Sequence, residues 1–190
     1  MLFRSQVERD VPLHPFATLR VGGSADYFVN ATDLDTLAIL AGVAQREGLP
    51  LFLLGEGSNI CIGDRGVRGM VIRNSCQSLL LGETTRVATG YNFMRLFVQT
   101  MQRGLSGLEF AVGIPGTVGG ALVSNAGAYR ANICDLVRSL EVVEEGERKE
   151  VSPNWMEFSY RDSCLRREGG KNALVLQVTL QLTQIGRAHV

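Results

Sequence analysis

The seventeen residues Gly113–Tyr129 constrain this chain more than any other stretch. They include five glycines, at 113, 116, 119, 120 and 127, and no charged side chain. A lone amphipathic helix does not read this way, because each interior glycine costs about 1 kcal/mol relative to alanine. A surface loop would be more polar. Such a run brings bare backbone up to something flat or anionic, with successive N–H groups free of Cβ atoms. A second, smaller run, Gly55-Glu-Gly-Ser-Asn59, has the same property. The two are read as glycine-rich surfaces closing on one large ligand.

Composition narrows the partners. With 190 residues, 45% of them hydrophobic and 20% charged, the chain is globular and can bury a sizeable core. Its formal net charge is zero and it has no basic stripe, so nucleic acid is not an expected partner. No apolar run reaches the length of a membrane span and no signal peptide opens the chain, so the expectation is a cytoplasmic protein without a membrane partner. Cys61, Cys76, Cys134 and Cys164 form no C-x-x-C pair and read as reduced thiols. Two histidines, His14 and His189, leave little for imidazole-based metal chemistry. Residues 185–190 have no structural logic and match the translation of a common sequencing adapter. They are set aside as a non-native tail, with the expectation that the gene product is cut short.

In chain order, residues 1–15 are polar with two prolines and read as an arm. Residues 25–29 predict a strand. Thr32 and Asp35 have capping-box spacing before a helix carrying Leu34, Leu37, Ala41 and Ala44 on one face, with Gly48 as its stop. The apolar run 51–54 predicts a buried parallel strand, completing a βαβ unit with Gly55–Asn59 at its ligand-binding end. Residues 69–72 predict another strand, and 79–81 with 86–88 a hairpin. A helix over 93–102 is expected, with Phe93, Leu96, Phe97, Thr100 and Met101 inward and Gly104 as its end. Residues 139–144 and 148–151 predict a hairpin around Glu145-Gly146-Glu147. Ser152-Pro153 opens a helical turn, and 174–182 predict a strand with one wet face.

Neither glycine motif fits the common nucleotide fingerprints. Gly55-Glu-Gly-Ser-Asn-Ile60 lacks the third glycine of a dinucleotide-binding turn and runs into the glycine-rich 61–69 instead of a long helix. Gly113–Gly120 lacks the Lys-Ser/Thr of a phosphate loop, which disfavours ATP hydrolysis. What survives is a pyrophosphate held by backbone amides and the Ser58 and Asn59 side chains, without a helix dipole. The alternative is an ordinary turn after a strand.

Taken together and in this order, Gly55-Glu-Gly-Ser-Asn59, Gly113-Ile-Pro-Gly-Thr-Val-Gly-Gly-Ala121, Asn125-Ala-Gly-Ala-Tyr129 and Ser159-Tyr-Arg-Asp-Ser163 resemble the UDP-N-acetylenolpyruvoylglucosamine reductases. These flavoenzymes complete UDP-N-acetylmuramate in bacterial peptidoglycan synthesis. The resemblance runs from about Thr18 to Leu182. It implies an α+β chain with the two-lobed FAD-binding fold of the vanillyl-alcohol-oxidase type: a small βαβ lobe over 1–72 and an antiparallel-sheet lobe with helices over 73–184.

It also implies the site. Gly55, Glu56, Gly57, Ser58, Asn59 and Ile60 would hold the FAD pyrophosphate. Gly113, Ile114, Pro115, Gly116, Thr117, Gly119, Gly120 and Ala121 would cover the rest of the cofactor, with Asn125, Gly127 and Tyr129 near the flavin edge. Arg161 would be the catalytic arginine, though by itself an arginine between Tyr160 and Asp162 reads as a surface ion pair. NADPH would reduce the flavin, and UDP-N-acetylglucosamine enolpyruvate would take the hydride. The chain departs from the family pattern at Ala17, where Asn usually precedes Thr, and at Arg130, where Gly is usual. The family's third, substrate-binding domain, which supplies a serine and a C-terminal glutamate, has no counterpart in these residues, so the chain alone is expected to bind FAD without completing the sugar reduction. The rival readings are a non-catalytic flavin-binding fragment and another flavoenzyme of the same fold. Tethering of FAD through His14 is disfavoured, because that residue lies outside both glycine runs.

Overall fold

A computed structural model describes residues 7–167 and 170–186. The first sheet comprises β1 (Glu8–Pro12), β2 (Ser24–Ala31), β3 (Leu51–Leu54) and β4 (Val67–Asn74), in the order β1-β2-β4-β3. β2, β4 and β3 run parallel; β1 is antiparallel to β2. The expected arm thus contains an edge strand. Its charged residues and terminal proline suit an edge, where one side of the ladder needs no partner. The apolar β3 is parallel, as expected, but stands at the opposite edge with one neighbour, so Leu54 is buried and Leu53 is exposed.

Helix α1 (Leu34–Arg46) joins β2 to β3. Its cap is Asp33 and not Thr32: Asp33 is extended, and its carboxylate accepts the Thr36 N–H at 2.8 Å. The helix ends in a Schellman motif, with Leu49 N donating to Ala44 O and Gly48 N to Gln45 O. Replacing Asp33 with alanine should cost about 1 kcal/mol at neutral pH. The Thr36 N–H holds this carboxyl below its ordinary value of 3.8. The contribution is therefore complete above that value and is lost as pH falls through the lower, folded value. Urea unfolding of both proteins should show the gap closing as the pH is taken below 3.8.

After Asn74 the chain forms β5 (Leu79–Leu80), β6 (Thr84–Ala88), α2 (Phe93–Gln102), β7 (Leu105–Ser106), α3 (Val118–Val123), β8 (Gly127–Ala128), β9 (Ala131–Asn132), β10 (Val137–Glu144), β11 (Glu147–Val151), β12 (Ala173–Gln181) and β13 (Thr183–Gln184). The second sheet is antiparallel, in the order β11-β10-β12-β6-β5. Two small ribbons, β13-β7 and β8-β9, complete the strands. A short turn over Pro153–Met156 follows Ser152, whose side chain makes no cap bond. Of the suspected tail, Ile185 donates its N–H to Gly104 O at 2.7 Å, and residues 187–190 lie outside the described residues.

β12 is the central strand of this sheet, and its expected wet face is only partly wet. The register shifts between Glu141 and Val142 of β10, leaving Leu176 without an opposite partner. Leu174 and Leu176 are buried under α1, whereas Gln177 and Thr179 line a polar hollow with Arg86 and Glu141. α1 packs on both sheets: Leu37, Leu40 and Ala41 share one apolar cluster with Val29, Ile72, Val143 and Leu174. Polar staples reinforce the contact. Gly146 N donates to Gln45 Oε1 at 2.8 Å, and Arg148 pairs with both Asp35 and Glu141.

α2 and α3 pack in a second cluster. Phe93, Leu96, Val118 and Leu122 meet Leu140, Val142, Val178 and Leu180, each worth about 1.5–3 kcal/mol when fully buried. Met101, expected inward, is exposed. Thr100 is buried as expected, its hydroxyl donating to Phe97 O at 2.8 Å.

Candidate functional site

The two glycine runs, some sixty residues apart, meet. An added Cβ on Gly55 would stand 2.7 Å from Thr117 Oγ1, and one on Gly116 would stand 2.6 Å from Ser58 Oγ. Approaches this close require the missing side chains. Asn92, the cap of α2, locks the corner by donating Nδ2 to both Glu56 oxygens, at 2.8 and 2.9 Å, while its Oδ1 accepts from Arg95 N. Asn92 also bridges to Thr117, and Phe93 N donates to Gly116 O at 2.9 Å. From the other side, Thr18 N donates to Gly57 O at 3.0 Å. The turn carrying His14 ends at Phe16, whose backbone lies against Gly57.

The runs differ in what they offer a ligand. Among the described residues, the N–H groups of Gly55, Glu56, Gly57, Ser58, Asn59 and Ile60 donate to no protein acceptor. Gly57 is buried, and a buried donor without a partner is costly unless a ligand supplies one. The second run is not bare loop throughout, because 118–123 form α3 with Thr117 as cap. The first N–H groups of α3 are occupied: Val118 N donates to Tyr91 O and Gly119 N to Thr89 O, both at 2.8 Å, and Gly120 N to Thr117 Oγ1 at 3.3 Å. Gly119 permits this packing, since a Cβ there would sit 3.0 Å from Thr89 Cβ. Ile114 and Ala121 pack into the second cluster, whereas Gly113 and Pro115 are exposed. An anion cradle made of amides therefore falls to 55–60.

Asn125 is not simply displayed at an edge. It is 4% exposed, has φ +42°, and ends α3 in a left-handed cap. Its Nδ2 donates to Ser159 O at 2.8 Å, and its Oδ1 accepts from Cys134 N at 3.4 Å. Ser163 is fully buried and donates to Val123 O at 2.7 Å. Both flanks of the Ser159–Asp162 turn are thus tied to the end of α3. Ser159 N and Asp162 O, and Asp162 N and Ser159 O, close the turn.

Tyr160 and Arg161 stand at the turn's tip, Tyr160 90% exposed and Arg161 at φ +55°. Asp162 and Glu157 pair with Arg167, so Asp162 is not the partner of Arg161, and the Arg161 guanidinium has no carboxylate partner among the described residues. The Tyr129-Arg130 turn between β8 and β9 has the same character. Both residues have positive φ, 53° and 68°, and Tyr129 is 88% exposed. Arg130 makes the tight turn where the family pattern has glycine. Gly127 is buried in this ribbon against Asn132 and Ala131.

Asn92 and Arg167 were missed by motif reading, and Ser163, although within the Ser159–Ser163 motif, was given no role. Only Asn92 carried a local signal, a cap residue before an apolar helix.

A model of the FAD-binding domain family matches residues 25–151, and the chain belongs to that family. Its cofactor is FAD, and its fold is the two-lobed FAD-binding fold of the vanillyl-alcohol-oxidase type.

Among curated relatives, the chain is 38% identical over 187 residues to UDP-N-acetylenolpyruvoylglucosamine reductase 2 of Symbiobacterium thermophilum, covering 96% of this chain and 60% of that one. It is 36% identical over 189 residues to the UDP-N-acetylenolpyruvoylglucosamine reductase of Chlamydia muridarum, covering 98% and 63%. The crystal structure of UDP-N-acetylenolpyruvylglucosamine reductase from Thermus caldophilus superposes with a TM-score of 0.79 at 31% identity, covering 95% of this chain and 64% of that one. A structure of alkyldihydroxyacetonephosphate synthase, at a TM-score of 0.69 and 17% identity, shares the fold; it covers 99% of this chain and 39% of that one. The chain thus spans 60% and 63% of the lengths of the two curated relatives.

Proposed function

We propose that this chain is the FAD-binding part of an NADPH-dependent reductase that converts UDP-N-acetylglucosamine enolpyruvate to UDP-N-acetylmuramate. The observation that carries the reading is the Arg161 guanidinium, which has no carboxylate partner among the described residues, on a turn anchored to α3, whose capping loop meets the 55–60 loop. In this reading the N–H groups of 55–60 hold the FAD pyrophosphate. The flavin, when bound, supplies hydride transfer between NADPH and the enolpyruvyl group. The Arg161 guanidinium meets the substrate carboxylate, where its planar fork stabilises the charge that develops as hydride arrives. Asn125 reaches the turn directly through its bond to Ser159 O, and in this reading Gly127 and Tyr129 stand near the flavin edge. The Glu56 carboxylate is held by Asn92 and serves loop geometry, not proton transfer. A lobe boundary near residue 72 separates the parallel strands from the antiparallel sheet, although β4 itself runs on to Asn74.

No helix among the described residues is long and apolar enough to cross a membrane. In this reading the reductase is cytoplasmic and its partners are NADPH and the nucleotide sugar. Titration of the apoprotein with FAD should saturate at one flavin per chain, and absence of uptake would overturn the reading at its base. In the chain carried to the length of its relatives, Arg161→Ala should slow the recolouring of reduced flavin by the enolpyruvyl sugar about 10²–10³-fold. Recolouring at the unaltered rate would remove Arg161 from the chemistry.

A further inference from the structure

We propose that the free edge of the five-stranded sheet is a docking groove for an extended, acidic segment of a partner polypeptide. The two edges of this sheet are unlike. β11 is Glu-Arg-Lys-Glu-Val, the charged kind of edge that resists pairing. β5 at the other end is Leu79-Leu80, followed by Leu81, and Leu80 is 68% exposed. Residues 79–81 carry no charged side chain.

Its backbone is also available. Ala88 N donates to Ser78 O, and Leu79 lies opposite Val87. Hydrogen-bonded and non-bonded pairs alternate in an antiparallel ladder, so Leu79 directs its N–H and C=O outward, and Leu81 falls in the same phase. Neither backbone group has a protein partner among the described residues.

α2 forms the opposite wall. Leu79, Leu80 and Leu81 line one side of a cleft of about 500 Å³, and Arg95, Gln99 and Arg103 line the other. Three successive strand positions all line the cleft, so it runs along the strand's edge and not over one face. No carboxylate lines it, and neither arginine pairs with a carboxylate among the described residues. Arg95 is held over the Tyr91 ring at 5.5 Å, and the Tyr91 hydroxyl donates to Gln99 Oε1, which leaves the Gln99 amide protons for an acceptor.

The spacing selects the ligand. Arg95 in the first turn of α2 and Arg103 at its C-cap are eight residues apart, about 12 Å along the axis. Acidic residues four apart on an extended strand are separated by about 13 Å. A strand added to β5 with two such acids would place a carboxylate at each arginine, with ladder bonds supplying affinity and charge supplying choice.

The test uses fluorescein-labelled Glu-Val-Thr-Val-Glu and the FAD-loaded chain, read by polarisation. Saturable binding is expected, weakened at least tenfold by Arg95→Glu or Arg103→Glu while FAD uptake is unchanged. Both positions are exposed, so charge reversal there leaves the core intact. A peptide with lysines for the glutamates, or proline for the central threonine, should not bind. No saturable binding, binding indifferent to the arginine reversals, or equal binding of the proline peptide would each overturn the proposal. So would a dimer that is held through this edge and is not dissolved by the peptide.

Discussion

Gly57→Ala is expected to destabilise the chain by about 3 kcal/mol and to weaken FAD binding roughly 100-fold. Gly57 has φ +65°, where an alanine costs about 1 kcal/mol for its backbone alone. The greater cost is steric. A Cβ at this position would overlap Phe16 O and stand 2.8 Å from Ala17 Cα. Both are backbone atoms, so no rotamer change relieves them. The segment they belong to is held by Leu13 and Ala17 in the apolar cluster with Phe28 and Leu54, and by the Thr18 N bond to Gly57 O. The loop must therefore move by a substantial fraction of an ångström, or the cluster must open; either is in the range of severe single-site changes. Movement of the loop also misaligns the six amides of 55–60, and a 100-fold loss corresponds to about 2.7 kcal/mol. Gly113→Ala is the control. Its φ is +76°, yet nothing lies within 4 Å of an added Cβ. It should lose only the backbone contribution of about 1 kcal/mol. Urea unfolding and FAD titration of the two variants separate strain from collision. Equal behaviour of the two would show that the collision plays no part.

The parts of this fold that were legible in the sequence are those with local causes. The strand over 25–29, the apolar stripe of α1, the Gly48 stop and the Glu145-Gly146 turn each follow from a few neighbouring residues. So does the existence of two glycine-rich loops at strand and helix ends. Where the reading went wrong, the deciding partner was distant. α3 forms within a glycine-rich run because Gly119 packs on Thr89 and Val118 and Leu122 enter a core built by β10 and β12, which compensates for weak helix formers. β12 loses most of its wet face because α1, more than a hundred residues earlier, lies over Leu174 and Leu176. The cap of α1 moved one residue because Thr32 and Asp33 are both good caps, and Asp35 is taken by Arg148 from another sheet. In the site, the glycines were visible as composition. The restraint on Arg161 was not, since the bond from Asn125 to Ser159 spans 34 residues.

That restraint carries the second large effect. Asn125→Ala should destabilise the chain by about 3 kcal/mol and loosen the Ser159–Asp162 turn. Removing the amide leaves Ser159 O and Cys134 N without their side-chain partner, at about 1–3 kcal/mol for each group that stays buried. The left-handed backbone at φ +42° adds up to about 1 kcal/mol for alanine relative to asparagine. Asn125→Gly separates the two causes, because glycine accepts the conformation and also lacks the amide. The glycine variant should recover only the backbone part and remain about 2 kcal/mol below the parent. Amide hydrogen exchange gives the local reading. In both variants the Asp162 N–H, which bonds Ser159 O, should exchange faster than in the parent by more than the global loss of stability explains. If the glycine variant regains full stability, the cap conformation is the whole role of Asn125. If it does not, the amide is the tie that keeps Arg161 in place against α3, and the strained φ of +55° at Arg161 persists because Asn125 and Ser163 over-determine the turn from both sides.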